Sequence, residues 1–217
     1  MKNSKRFDAV FYDLDGTLID SVPVITLCFR KAYEELFGSC TRTDEDLQSY
    51  IGKPLTETFA MHGEEDCRRL TDTYLRINRE YLEKDLIPLF DNVYEDLSYL
   101  RSLGIRQGLV TSKKRVSAEV TVKYKGLDRI FDCFVYCEDT ERHKPYGDPI
   151  VKAANDLGIT DMSRVLYVGD ALPDLLSARD AGAAFALVEW TRLPVGGAGR
   201  PGGYEVLKRL KDISCII

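Results

Sequence analysis

Two aspartates one residue apart, Asp13 and Asp15, close an apolar run near the start of the chain, in Phe11-Tyr-Asp-Leu-Asp-Gly-Thr17. Polar residues gather again after later apolar runs. Thr111, Ser112 and Lys113 follow Val110, Lys144 lies in Arg142-His-Lys-Pro145, and Asp170 and Asp174 follow Gly169. Carboxylates, a hydroxyl and a lysine make a coherent set for handling phosphate, provided that the fold gathers them. The carboxylates repel one another unless a cation sits between them. Oxygen donors without a histidine or cysteine favour a hard ion, and Mg2+ suits few protein ligands plus a substrate phosphate. Lys144 supplies the charge that a carboxylate-rich site lacks for holding a phosphoryl group. Thr111 adds a hydroxyl, and the amides after it add further donors. Paired carboxylates can divide the labour: one attacks phosphorus and forms an aspartyl-phosphate, while the other gives a proton to the leaving oxygen and later takes one from water.

Such a site needs elements that end where these residues stand. Phe7–Tyr12 is a short apolar run broken only by Asp8, which reads as a buried strand feeding a turn. Strands are also expected over Ile105–Val110, Phe131–Tyr136, Arg164–Val168 and, as the last, Ala184–Val188. Helical periodicity fills the gaps: through Val93, Leu97 and Leu100, near 115–124, about 147–157, and from about 172 to the stop at Gly182. Strands alternating with helices imply a parallel sheet covered on both faces, the α/β doubly wound (Rossmann-like) class. In such a sheet ligands bind outside the carboxyl ends of the strands, where the polar residues stand. Asp170 and Asp174, at a helix start, can both face the site.

Between the first strand and the rest the period is helical throughout. Ile25, Cys28, Phe29, Ala32 and Leu36 share one face before Gly38, and Cys67, Leu70, Tyr74, Ile77 and Tyr81 share another. The expected organisation is a core of residues 1–16 and 89–217 with an all-helical cap domain inserted at 17–88.

Composition excludes other classes. The net charge of -5, from 30 basic and 35 acidic side chains, leaves no basic footprint for nucleic acid or an anionic membrane. No apolar run approaches the roughly 18 residues of a membrane span. The six cysteines are scattered without a metal-binding spacing, and no export signal is apparent. The expectation is a cytoplasmic enzyme with free thiols, a monomer or homodimer, acting on a small phosphorylated metabolite.

Asp13-Leu-Asp-Gly-Thr-Leu18, Val110-Thr-Ser-Lys113, His143-Lys-Pro145 and Gly169-Asp-Ala-Leu-Pro-Asp174 together resemble, in order and spacing, the motifs of the haloacid dehalogenase-like hydrolases. With a helical insertion after the first motif, the chain is similar to the phosphoglycolate-phosphatase branch with an α-helical cap. The resemblance implies that Asp13 is the nucleophile, Asp15 the general acid/base, and Thr111, Ser112 and Lys144 the phosphate ligands. It implies Mg2+ held by the Asp13 side chain, the Asp15 carbonyl and Asp170, with Asp174 in support. Asp15 favours breaking a phosphorus–oxygen bond over a carbon–halogen or carbon–phosphorus bond. A phosphoglycolate-like phosphomonoester is the first expectation. Pyrophosphate or a nucleotide stands second and a sugar phosphomutase third. A receiver-like signalling protein is disfavoured by the Asp13–Asp15 pair and the cap.

Other features have plainer readings. Lys53, in Tyr50-Ile-Gly-Lys-Pro-Leu55, is either a substrate-binding residue for a second anionic group or an exposed lysine on a glycine-proline turn. Trp190 and Arg192 are placed at the entrance by a weaker argument, and His143 reads as structural. The glycine-rich 195–203 segment lacks the Lys-Ser/Thr of a phosphate-binding loop and reads as a surface loop.

Overall fold

The computed structural model describes residues 6–51, 53–192 and 203–217. Six strands form one parallel sheet: β1 (Ala9–Tyr12), β2 (Arg106–Val110), β3 (Cys133–Val135), β4 (Val165–Gly169), β5 (Ala184–Val188) and β6 (Glu205–Leu207), in the order β3-β2-β1-β4-β5-β6. Helices α1 (Val22–Phe37), α2 (Asp44–Gln48), α3 (Leu55–Phe59) and α4 (Glu64–Glu83) lie between β1 and the rest. Helices α5 (Val93–Ser102), α6 (Arg115–Tyr124), α7 (Asp148–Asp156) and α8 (Leu172–Ala181) alternate with the later strands.

All four residues of β1 are buried, because the sheet is covered on both faces. Ala9 and Phe11 pack in a core with Ile150, Ala153 and Ala154 of α7 and Leu175 and Ala178 of α8. On the opposite face the Tyr12 ring lies 5.8 Å from Phe131. Its hydroxyl donates to Gln107 Oε1 at 2.9 Å, and Gln107 Nε2 donates to the Leu97 carbonyl of α5 at 3.0 Å. A polar pair is thereby satisfied inside an apolar layer.

The structure corrects one expectation: Ala184–Val188 is not the last strand. β6 extends the sheet beside β5, pairing Leu187 with Val206. Three residues carry too little alternation to announce a strand, and only β5 supplies its partner. The glycine-rich segment falls outside the described residues except for Gly203.

The chain divides into two compact units, Met1–Ile19 with Leu89–Ile217, and Asp20–Pro88. The first crossing follows Ile19, because the chain beyond Asp13 turns back on Leu14 before it leaves this unit. Leu18 and Ile19 amides both donate to the Leu14 carbonyl, at 2.9 and 3.1 Å, and Phe90 N–H donates to the Leu18 carbonyl at 3.0 Å. The second unit is wholly helical among its described residues. Helix α1 ends at Gly38, whose φ of +79° suits a left-handed C-cap. Helix α2 starts with a reciprocal Thr43–Asp46 capping box. Phe29 of α1 is the hub of this unit's core, with its ring 4.5 Å from Tyr74, 5.5 Å from Tyr50 and 5.8 Å from Phe59. All six cysteines are free thiols. No helix among the described residues is long and apolar enough to cross a membrane.

Phe29→Ala removes that hub. It should lower the stability of the helical unit by roughly 3–5 kcal/mol. Urea titration, with amide exchange read on α1 and α4, measures the change; a loss below about 1 kcal/mol would show that the rings repack without it.

Candidate active site

The sheet fixes the first two residues of the site. Asp13 N–H donates to the Val168 carbonyl at 2.9 Å and Thr111 N–H to the Val135 carbonyl at 3.0 Å, so strand hydrogen bonding persists one residue past β1 and β2. The Thr111 hydroxyl oxygen accepts Lys113 N–H at 3.1 Å, which orients it and leaves its proton to donate. Beyond Asp13 the chain turns through Gly16 at φ +84°, where a Cβ would stand only 2.3 Å from Asp170 Oδ2. Glycine is required twice over, for its φ and for the close approach of a carboxylate.

Lys144 gathers the next residues. Its Nζ donates to Asp13 Oδ1 at 2.6 Å, Asp174 Oδ1 at 2.8 Å and the Tyr167 hydroxyl at 3.1 Å. An ammonium has three donors, so all are committed. The other Asp174 oxygen accepts the amides of Asp170 and Ala171, at 3.2 and 3.1 Å. A Cβ on Gly169 would lie 2.5 Å from this side chain, so the end of β4 must be bare. Asp170 accepts only hydroxyls among the described residues, from Thr191 at 3.0 Å and Thr17 at 3.4 Å. Asp15 is held separately, with both its oxygens on Lys113 Nζ at 2.9 and 3.2 Å.

Burial and charge pull against one another here. Asp13 is pushed up to about 7 by burial; Lys144 opposes that, while Asp174 and Asp15 add to it. Burial alone would lower Lys144, but Asp13 and Asp174 outweigh it and hold the ammonium charged, well above the usual lysine range. Asp170 is pushed up to about 8, by burial first and then by Asp174 and Asp13. The contact of Lys144 with Asp13 makes Asp13 the compensated carboxylate. The uncompensated charge therefore falls on Asp170.

That imbalance is the test for a metal. One carboxylate oxygen from each of Asp13, Asp170 and Asp174 lies within 4.8 Å of the others. A hard divalent cation fits this oxygen-only, under-compensated set. Asp174 has given its oxygens to Lys144 and two amides, which suits it to orienting the site. Asp13 and Asp170 are the side chains left to hold the ion.

Thus Asp13, Asp15, Thr111, Lys144, Asp170 and Asp174 come together at the carboxyl ends of the strands. Ser112 stands beside them, exposed. Lys53 belongs to the helical unit, exposed, after a turn closed by its N–H on the Tyr50 carbonyl at 3.1 Å. His143 Nε2 lies 4.0 Å from Cys137 Sγ. Trp190 Nε1 donates to the Thr17 carbonyl at 3.1 Å, bracing the turn after β1. Sequence reasoning assigned no part to Lys113, Tyr167, Thr17 or Thr191. Tyr167 sits within an apolar strand and reads as packing. Only the position of Lys113 next to Thr111 and Ser112 could have drawn attention to it.

Comparison with known proteins shows the family of the chain. Residues 10–188 match the family model described as haloacid dehalogenase-like hydrolase. The chain is 37% identical over 191 residues to a Clostridium perfringens protein provisionally named pyrophosphatase PpaX, covering 88% of each chain. It is 33% identical over 213 residues to the Bacillus velezensis pyrophosphatase PpaX, covering 96% of this chain and 95% of that one. Among solved structures, one described as a predicted phosphoglycolate phosphatase from Haemophilus somnus superposes with a TM-score of 0.86 over 99% of both chains at 20% identity, a likeness of fold.

The site's charge balance has a measurable sign. Asp13 and Asp170 hold protons in the folded state up to about 7 and about 8, but lose them near 3.8 when unfolded. Across that window the native state binds more protons, so stability without metal falls as pH rises. A cation competes with those protons, so its benefit grows with pH. Thermal melts in chelator should drop from about pH 5.5 to about pH 8, and Mg2+ should raise the melting temperature more at the higher pH. Asp170→Asn should flatten the pH dependence and remove most of the Mg2+ effect. A Mg2+ shift of equal size at both pH values, or one retained in Asp170→Asn, would contradict this account of the site.

Proposed function

The chain belongs to the haloacid dehalogenase-like hydrolases, and from that premise we propose that it hydrolyses a phosphoanhydride, with inorganic pyrophosphate as substrate, by attack of Asp13 on phosphorus. The observation that carries the mechanism is the asymmetry of the Asp13 carboxylate. Lys144 binds Oδ1, and Oδ2 has no hydrogen-bond partner among the described residues. Lys144 fixes the plane of the group and leaves the second oxygen to act as nucleophile. Burial strengthens both this orientation and the later neutralisation of phosphoryl charge.

Oδ2 of Asp13 attacks phosphorus, and the bridging P–O bond breaks with its electron pair on the departing phosphate. Asp15 gives that oxygen a proton. Thr111 donates its hydroxyl to a phosphoryl oxygen, the amide of Ser112 donates beside it, and Lys144 trades one of its contacts for another. In the second half Asp15 takes a proton from water, whose oxygen attacks the aspartyl-phosphate and frees Asp13. Mg2+, held by Asp13, Asp170 and the Asp15 carbonyl, supplies when bound the positive charge that phosphoryl oxygens need in a carboxylate-rich site.

The choice of substrate reverses the order read from the sequence, where a phosphoglycolate-like monoester stood before pyrophosphate. Relatives at 31–37% identity carry the pyrophosphatase name. The structure bearing the phosphoglycolate phosphatase name is 20% identical and supports the fold alone.

A panel of pyrophosphate, phosphoglycolate, nucleotides and sugar phosphates, assayed with Mg2+ and ranked by kcat/KM, should place pyrophosphate first. Phosphoglycolate in that position would overturn the substrate assignment. Asp13→Asn should lower turnover by roughly three orders of magnitude or more while the circular dichroism spectrum is unchanged. Normal turnover by a folded Asp13→Asn protein would refute the mechanism.

A further inference from the structure

The two lysines of the site are bonded differently. Lys144 has committed its three donors to three separate groups. Lys113 bonds only the two oxygens of Asp15. Its Nζ has no other partner among the described residues, so one N–H remains to be used. The side chain is 11% exposed, against 6% for Lys144, so it is reachable by a ligand yet largely out of water. The neighbouring cations are less suited. Lys114 is exposed, and Arg115 is held by Asp139 and lies over the Tyr136 ring.

Position gives the spare donor its meaning. Asp15 faces the leaving oxygen in the mechanism above, and Lys113 Nζ lies within 3.2 Å of both Asp15 oxygens. A leaving group that touches Asp15 therefore lies within hydrogen-bond reach of the same ammonium. Departing phosphate is anionic and carries several acceptor oxygens; a departing alcohol is neutral and offers one.

We propose that Lys113 binds the leaving phosphate and is the residue by which the core selects a phosphoanhydride over a phosphomonoester. This rests on the reading of Asp15 and of pyrophosphate given above. As the Asp13–phosphorus bond forms and the bridging P–O bond breaks, the electron pair stays on the leaving phosphate. Asp15 supplies the proton, and Lys113 contacts one of the remaining anionic oxygens without transferring anything. A hydrogen bond to a charged group of this kind is worth on the order of a ten- to hundredfold effect when lost.

The test compares Lys113→Met and Lys113→Arg with the wild type, in Mg2+, on pyrophosphate and on glycerol phosphate, whose leaving group is a neutral alcohol. Lys113→Met should lower kcat/KM for pyrophosphate roughly ten- to hundredfold more than for the ester, and Lys113→Arg should restore most of that preference. A lysine that only orients Asp15 gives the opposite pattern, since the alcohol leaving group depends more on the proton. Equal losses on both substrates, or a larger loss on the ester, would therefore overturn the role of Lys113 alone. A wild-type enzyme inert toward pyrophosphate would overturn the substrate reading and this inference with it. Binding of imidodiphosphate, an analogue with a non-hydrolysable bridge, separates recognition from chemistry. Lys113→Met should weaken it by about tenfold or more and leave orthophosphate affinity within a few-fold, whereas unchanged imidodiphosphate binding would also refute the proposal.

Discussion

The buried ammonium of Lys144, shared among Asp13, Asp174 and Tyr167, is the contact on which the site depends. It joins the segment after β3 to the end of β1, to β4 and to the first turn of α8. Each donor has an acceptor within 3.1 Å, which meets the condition under which a charge tolerates burial. Such a cluster contributes less to stability than to position, since desolvation offsets much of its Coulomb energy. What it secures is orientation: one Asp13 oxygen is held and the other is presented. Tyr167 continues the chain of contacts, donating to the Val110 carbonyl at 3.1 Å, one residue before Thr111. Asp13, Asp174 and the Thr111 hydroxyl are thereby braced against a common set of strand ends.

A lysine so placed leaves the carboxylates unequally served. Asp13 and Asp174 share its charge, while Asp170 rests on hydroxyls and is driven toward the neutral form. The glycines at 16 and 169 make this crowding possible, because a Cβ at either would collide with Asp170 or Asp174. The local backbone is thus arranged to bring together like charges that repel, a configuration that stability alone would not favour and that a bound cation would relieve. The crowding of the site and its fit to a cation share one physical origin, the surplus of carboxylate over ammonium.

Much of this was legible because a parallel sheet buries both faces of its strands. Unbroken apolar runs such as Ala9–Tyr12 stand out, and their ends mark where polar residues must be functional or capping. Helical periodicity marked α1 and α4 for the same reason, as each has one buried stripe. The rest was hidden by distance along the chain. Lys113 and Asp15 are 98 positions apart, and Lys144 and Tyr167 are 23 apart. Nothing local to Lys113 separates a carboxylate partner from solvent, and nothing local to Tyr167 separates a polar role from packing. β6 escaped because three residues need an existing edge to define them.

All of the charged network comes from one unit of the chain, residues 1–19 with 89–217. Asp13, Asp15, Thr111, Lys113, Lys144, Asp170 and Asp174 need no side chain from residues 20–88 to assume their contacts with one another. On the proposed mechanism phosphoryl transfer is thus specified by strand ends, and a helical insertion can vary without disturbing it. Recognition of the leaving group need not belong to the insertion alone. In the proposed mechanism a cation already tied to Asp15 stands where the bond breaks, and its unused donor distinguishes a departing anion from a departing alcohol. On the proposed mechanism, selectivity for an anhydride begins beside the one residue that transfers the proton, because the group that orients Asp15 is also the group that meets what Asp15 releases.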